Sequence, residues 1–252
     1  MKSLKIAGLN LDIIWKNKIE NYLSIEKKAE NILADIIVLP EMFSTGFCMD
    51  ANEIADQKNE TLQWMINLAT TKQTAIAGSV AVRENGKFFN RFYFVFPDGS
   101  YDFYDKRHLF SYSGEDKVYT PGKERKIINY KGFRILLQIC YDLRFPVFSR
   151  NNDDYDAVFF VANWPESRVV AWNHLLKARA IENQAFVFGV NRIGTDGNNL
   201  TYTKSSHCFS FDGEEISVIE DEVFYATLDK DQLLSFREKF QFLNDRDAFS
   251  LL

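Results

Sequence analysis

Apolar and polar positions along this chain switch between two periodicities, and the switches mark out its elements. Apolar runs of strand length occupy residues 5–14, 36–39, 74–82, 88–96, 126–130, 133–139, 157–162, 185–190, 206–211 and 223–228. Helical segments fall among them at 16–33, at 62–71, at 166–184 and at 229–240. In the second of these, Leu62, Met65, Ile66 and Ala69 recur at helical spacing. The third carries the clearest stripe, with Val169, Trp172, Leu176, Ala180 and Asn183 on one side and Arg and Glu on the others. Pro97-Asp98-Gly99-Ser100 links the strand ending at Phe96 to one over 100–104 as a hairpin, because Pro and Gly supply the turn dihedrals. Lys131-Gly132 links 126–130 to 133–139 in the same way, and Asp212-Gly213 is a further turn. Strands interleaved with helices indicate an α/β protein, and the hairpins require mixed sheets. No low-complexity linker, Gly/Ser-rich loop or repeat interrupts the pattern, so residues 1–252 read as one domain.

Composition narrows the function classes. The 252 residues are 46% hydrophobic and 15% aromatic, with 23 Phe, which is ample material for a core. A net charge of -5 and a pI near 5.4 argue against a general nucleic-acid surface. No apolar run approaches the roughly 20 residues that span a bilayer, and residues 4–11 read as a strand without a signal-peptide pattern. The expected setting is the cytoplasm, with neither membrane nor nucleic acid as partner. Cys48, Cys140 and Cys208 are widely spaced and odd in number, which suggests reduced thiols and neither a disulfide framework nor a metal site. The histidines His108, His174 and His207 show no metal-ligand spacing, so no metal or other cofactor is expected.

Three separated motifs then change the picture. Val38-Leu39-Pro40-Glu41, Tyr104-Asp105-Lys106-Arg107-His108 and Leu137-Gln138-Ile139-Cys140-Tyr141-Asp142 each end an apolar run on one reactive group. A carboxylate base, a cation that can hold an oxyanion and a sulfur nucleophile are the parts needed to cleave an acyl–nitrogen bond. Each has a plainer reading alone: a loop carboxylate, a surface lysine, a buried inert thiol.

Their order and flanks resemble the nitrilase (carbon–nitrogen hydrolase) superfamily, whose members carry a Glu-Lys-Cys triad. Glu41-Met42-Phe43-Ser44-Thr45-Gly46-Phe47, Cys140-Tyr141-Asp142-Leu143-Arg144-Phe145-Pro146 and Asn163-Trp164-Pro165 are similar to its omega-amidase branch. The resemblance covers essentially the whole chain. It implies a four-layer α-β-β-α sandwich that pairs into a homodimer or higher homo-oligomer. It also implies hydrolysis of the terminal amide of a small omega-amido acid, such as 2-oxoglutaramate, to carboxylate and ammonia. Glu41, Lys106 and Cys140 become base, oxyanion cation and nucleophile. Glu115 becomes the second glutamate that organises them, although an acidic loop tip with Asp116 is the competing reading. The Tyr141 backbone N–H becomes a second oxyanion donor.

Substrate contacts are expected from Arg168, Trp164, Phe47 and Tyr112, with Phe110 beside them. Arg168 opens the long helix, where a guanidinium can grip a substrate carboxylate with help from helix N–H groups. Arg144 is expected to brace the Cys140 turn through Asp142, while Arg107 and His108 set local structure. Cys48 and Cys208 lack a reactive context. The alternatives are a related hydrolase acting on a nitrile, an N-carbamoyl compound or another small amide; a Cys-His hydrolase using His108, His174 or His207; a zinc amidohydrolase; and an inactive assembly protein on the same scaffold.

Overall fold

The computed structural model describes residues 3–152 and 154–250. In chain order, the first half contains β1 (Ser3–Leu9), α1 (Lys18–Ala29), β2 (Ile36–Val38), α2 (Ala51–Ile54), α3 (Glu60–Lys72), β3 (Ala75–Glu84), β4 (Lys87–Val95), β5 (Tyr101–Asp105) and α4 (Glu115–Val118). The second half contains β6 (Ile127–Tyr130), β7 (Phe133–Ile139), α5 (Pro146–Ser149), β8 (Ala157–Ala162), α6 (Val169–Asn183), β9 (Phe186–Asn191), β10 (Gly194–Thr195), β11 (Thr201–Tyr202), β12 (His207–Phe209), β13 (Val218–Glu220), β14 (Val223–Asp229) and α7 (Lys230–Lys239).

The strands form a seven-stranded sheet in the order β13-β14-β1-β2-β3-β4-β5 and a five-stranded sheet in the order β12-β9-β8-β7-β6, with β10 and β11 as a separate pair. Both large sheets are mixed: β1-β2-β3 and β7-β8-β9 run parallel, and the outer strands pair antiparallel. Alternation decides which side chains face which layer. Ile6, Val38, Ala77 and Phe92 of the first sheet meet Ile135, Leu137, Phe159 and Phe188 of the second in one buried cluster. On the outer face of the first sheet, Leu9, Ile37 and Ile76 pack against Ile25 and Ala29 of α1 and Met65 and Ala69 of α3. Outside the second sheet, Leu136, Val158 and Phe160 pack against Trp172, Leu176 and Ala180 of α6. The expected α-β-β-α layering follows from these three clusters.

Several boundaries differ from expectation for local reasons. The first strand ends at Leu9 and not at 14: the Asn10 N–H still reaches the Glu222 carbonyl at 2.8 Å, but its side chain accepts from Ser206 Oγ of the other half and Asp12 then bridges to Ile193. The first helix starts at Lys18 because Lys16 sits at φ 57 and the Asn17 side chain caps the Glu20 amide. The expected strand over 206–211 keeps only His207–Phe209. The long helix begins as a 3₁₀ turn, Glu166–Arg168, before α6 proper. Asn85-Gly86 joins β3 to β4 with both residues at positive φ (50 and 76), a hairpin turn that the strand pattern alone left unmarked. The Pro97–Ser100, Lys131-Gly132 and Asp212-Gly213 turns form where expected.

Strand direction places the reactive groups. Glu41 follows β2, Cys140 follows β7 and Asn163 follows β8, all at the carboxyl ends of parallel strands, where open α/β sheets present their ligand sites. β5 runs antiparallel to β4, which runs antiparallel to β3, so Lys106 leaves its sheet at that same end.

Candidate active site

Glu41 lies on a tight turn built for it. Met42 takes φ 44 and donates its N–H to Ser79 Oγ at 2.9 Å, and the Thr45 and Gly46 amides both return to the Met42 carbonyl. Gly46 sits at φ 79, a conformation that costs any side chain strain. The Glu41 carboxylate is fully buried. Its Oε1 accepts from Lys106 Nζ at 2.9 Å and Asn90 Nδ2 at 2.8 Å, and its Oε2 accepts from the Asn163 N–H at 2.9 Å. Asn163 Nδ2 also donates to the Glu41 carbonyl at 2.6 Å. This side chain has no freedom to wander.

Lys106 is not a surface lysine. Its ammonium is buried and donates to Glu41 and to both oxygens of Glu115, at 3.1 and 2.9 Å. Burial alone would pull the ammonium down, but the charges of Glu115, Glu41 and Cys140 outweigh it and hold Lys106 above the usual lysine range. Gly122 packs on the end of β5, where a Cβ would lie 2.0 Å from the Asp105 carbonyl oxygen. Glu115, at the start of α4, is buried too, so the loop-tip reading is set aside. Its Oε2 also accepts from the Phe110 N–H at 2.6 Å. Burial raises the Glu115 carboxyl, and Lys106 offsets part of that rise. Asn90 joins the two acids, donating to Oε1 of each while its own oxygen accepts from Ser79.

Cys140 starts a 3₁₀ turn, Cys140–Arg144, and stands at φ 45, in the left-handed region that non-glycine residues seldom adopt. Its thiol lies in the electrostatic field of both Glu41 and Lys106. Burial and the negative charge of Glu41 push the thiol well above its ordinary value, against the opposing pull of Lys106. That direction favours the protonated thiol beside Glu41. Tyr141 follows it at the amino end of the turn, where helix N–H groups are free to face a ligand.

Glu41, Lys106 and Cys140 line a cavity of about 570 Å³. Phe47, Tyr141, Trp164 and Arg168 line it as well, with Phe110 beside them. Phe47 places its ring centroid 5.2 Å from Lys106 Nζ. Trp164 donates its indole N–H to the Arg168 carbonyl at 2.8 Å, and the Arg168 guanidinium lies 5.3 Å from the Phe110 ring centroid. Two expectations need correction. Tyr112 is 87% exposed and does not line the cavity; its ring turns outward past Phe110. Arg144 does not brace the Cys140 turn. It lines the cavity over the Trp164 ring at 4.9 Å, and Asp142 is held instead by Tyr104, His108 and Ile139. Neither Arg144 nor Arg168 has a salt-bridge partner among the described residues.

Residues 5–238 match the family model for carbon-nitrogen hydrolase. Omega-amidase YafV of Yersinia enterocolitica is 43% identical over the full length of both chains, and YafV of Escherichia coli K12 is 42% identical, again over both full lengths. A 2-oxoglutaramate amidase of Bacillus subtilis is 35% identical over 77% of this chain and 78% of its own. Among solved structures, a CN-hydrolase superfamily protein of Xanthomonas campestris with an arsenic adduct in its active site superposes with a TM-score of 0.95 at 39% identity over both full chains. The chain belongs to the carbon–nitrogen hydrolase family. It is a hydrolase acting on the carbon–nitrogen bonds of amides, and the inactive-scaffold alternative falls away.

Within this carbon–nitrogen hydrolase, none of the histidines lines the cavity. His108 is committed to Asp142, His174 is exposed on α6 with its Nδ1 on the Val170 carbonyl, and His207 bonds Glu215 and Asn173. The Cys-His alternative thus lacks its base. No group of three or more His, Cys, Asp or Glu among the described residues is arranged to hold a metal ion, and no helix among them is long and apolar enough to cross a membrane. Sequence reasoning missed Asn90, whose only signal was one amide inside the apolar run 88–96. It also missed the far wall of Trp15, Lys16, Asp196 and Tyr202, whose remoteness in sequence left no signal.

Proposed function

We propose that this enzyme removes the terminal amide of a short omega-amido acid through a thioester on Cys140. Glu41 takes the thiol proton as sulfur attacks the amide carbonyl, and the oxyanion forms against Lys106 and the Tyr141 N–H. Glu41 returns the proton to the departing nitrogen, so ammonia leaves and the acyl group stays on sulfur. Water, deprotonated by Glu41, then attacks the thioester; its collapse releases the carboxylate and restores the thiol. The raised thiol supports concerted proton transfer and attack over a standing thiolate. Glu115 and Asn90 keep Lys106 and Glu41 fixed while this happens.

The observation that carries the substrate reading is the pair Arg144 and Arg168, two cations on one cavity without acidic partners of their own. Lys106 and Lys16 are engaged, the latter with Asp50 and Glu53. Guanidinium groups held over aromatic faces and left unpaired suit a carboxylate at the end of the substrate away from the amide. The names of the YafV and 2-oxoglutaramate amidase relatives fit that class. The accompanying expectation is a cytoplasmic homodimer or higher homo-oligomer. Ammonia release from 2-oxoglutaramate and succinamate, against propionamide and a nitrile of similar length, tests the reading. Equal rates across the set would refute carboxylate recognition.

A further inference from the structure

Lys106 and Cys140 leave different sheets, Lys106 at the end of β5 and Cys140 at the end of β7. The face between those sheets is apolar, and apolar contact is non-directional, so it does not fix the spacing of two reacting groups to a few tenths of an ångström. Directional bonds across the gap have to do that. We propose that Asp142 is a positioning residue that holds Lys106 and Cys140 in register between the two sheets, with His108 as its partner on the Lys106 side.

The Asp142 carboxylate is fully buried and collects donors from both sides. Its Oδ2 accepts the Ile139 N–H at 2.9 Å and the Tyr104 hydroxyl at 2.8 Å. Its Oδ1 accepts the His108 N–H at 2.9 Å and the His108 Nδ1–H at 2.8 Å. Ile139 immediately precedes Cys140 and Asp142 follows two residues after it, so the Oδ2 bond closes a short ring around Cys140 and supports its φ of 45. Tyr104 and His108 flank Lys106 by two residues on either side, and the Tyr104 oxygen also accepts the Arg107 N–H at 3.0 Å. The His108 ring stacks on Phe145, just past the Cys140 turn, at 3.8 Å between centroids and 6° between planes. A buried carboxylate with its acceptor sites filled in this way is costly to assemble and rigid once formed. It ties the chain on both sides of Lys106 to the chain on both sides of Cys140.

This inference rests on the reading that Lys106 and Cys140 act on the same carbonyl. The test measures kcat and KM on succinamate and propionamide, and the rate at which iodoacetamide alkylates Cys140, in Asp142→Asn, His108→Asn and His108→Leu. Asp142→Asn keeps the shape but turns an acceptor into a donor facing donors. It is expected to lower kcat about a hundredfold with KM within about threefold, and to slow alkylation about tenfold. His108→Asn keeps a side-chain donor for Asp142 and His108→Leu does not, while both lose the stacked ring. The Asn variant should retain roughly tenfold more kcat than the Leu variant. Wild-type kcat and alkylation in Asp142→Asn, or equal losses in the two His108 variants, would overturn the proposal. If Asp142→Asn fails to fold, the His108 pair decides alone. Failure of the omega-amido acid reading would show instead as equal wild-type rates on the two amides, with the alkylation and His108 comparisons unaffected.

Discussion

Lys106→Met removes the one cation that lies between two buried carboxylates, and its cost can be worked from the contacts. The ammonium gives three hydrogen bonds, at 2.9, 3.1 and 2.9 Å, to Glu41 and Glu115, and all three side chains are buried. Breaking a buried ion pair from one side typically costs about 3–5 kcal/mol, because the remaining charge is left without compensation. For a chain of this size that corresponds to a melting temperature lower by roughly 10 °C. The sign with pH follows from Glu115. Burial already raises its carboxyl above the ordinary value, with Lys106 offsetting part of the rise. Without Lys106 the rise is larger. A carboxyl raised in the folded state costs stability above its folded value, and that cost fades as pH falls toward the unfolded value. Scanning calorimetry of both proteins between about pH 8 and pH 5 should therefore show a deficit that is largest at the alkaline end and shrinks on acidification. Amide turnover should fall by about a thousandfold or more at every pH, since the proposed oxyanion donor is lost as well. An unchanged melting temperature at alkaline pH, or a deficit that grows as pH falls, would refute the reasoning.

Further outcomes can be checked with the same protein. Cys140→Ser should fold normally yet lose about a thousandfold or more of turnover in ammonia-release assays, because a hydroxyl is far harder to ionise than a thiol. Iodoacetamide alkylation of wild-type Cys140 should keep accelerating through about pH 6 to pH 8, since burial and Glu41 raise the thiol; a plateau there would indicate a preformed thiolate. Arg168→Met and Arg144→Met should each raise KM for succinamate by about tenfold to a hundredfold and leave propionamide hydrolysis largely intact. Equal losses on both amides would assign the arginines to the fold. Tyr112→Ala should leave both KM and kcat within about twofold, because its side chain points to solvent and off the cavity.

The parts of the site that were legible from sequence share one physical property. Glu41, Lys106 and Cys140 each stand where an apolar strand run stops, and these breaks gather at the carboxyl ends of the strands. α6 was legible because its buried stripe of Trp172, Leu176, Ala180 and Asn183 recurs at helical spacing on one face. What stayed hidden depends on side-chain direction or on distant chain. Arg144 stands four residues past Cys140, and spacing alone could not tell a brace on Asp142 from a side chain laid over Trp164. Tyr112 follows Phe110 by two residues, yet the 3₁₀ turn at Ser111–Ser113 swings it outward. Asn90 reads as one polar residue in a strand until the fold brings both Glu41 and Glu115 to its Nδ2. Trp15 lines the cavity wall from a segment far in sequence from Glu41, Lys106 and Cys140. Gly197 packs so closely on the indole that a Cβ there would lie 2.4 Å from its ring.

The central claim is a covalent acyl intermediate on one named sulfur. It is tested most directly by acid-quenching the enzyme during turnover of excess succinamate, then measuring intact mass and mapping the modified peptide. The account predicts an adduct equal to the substrate less ammonia, confined to Cys140, absent in Cys140→Ala and accumulating when water attack is slowed relative to acylation. Ammonia release that continues in Cys140→Ala, or an acyl group mapped to any other residue, would contradict it.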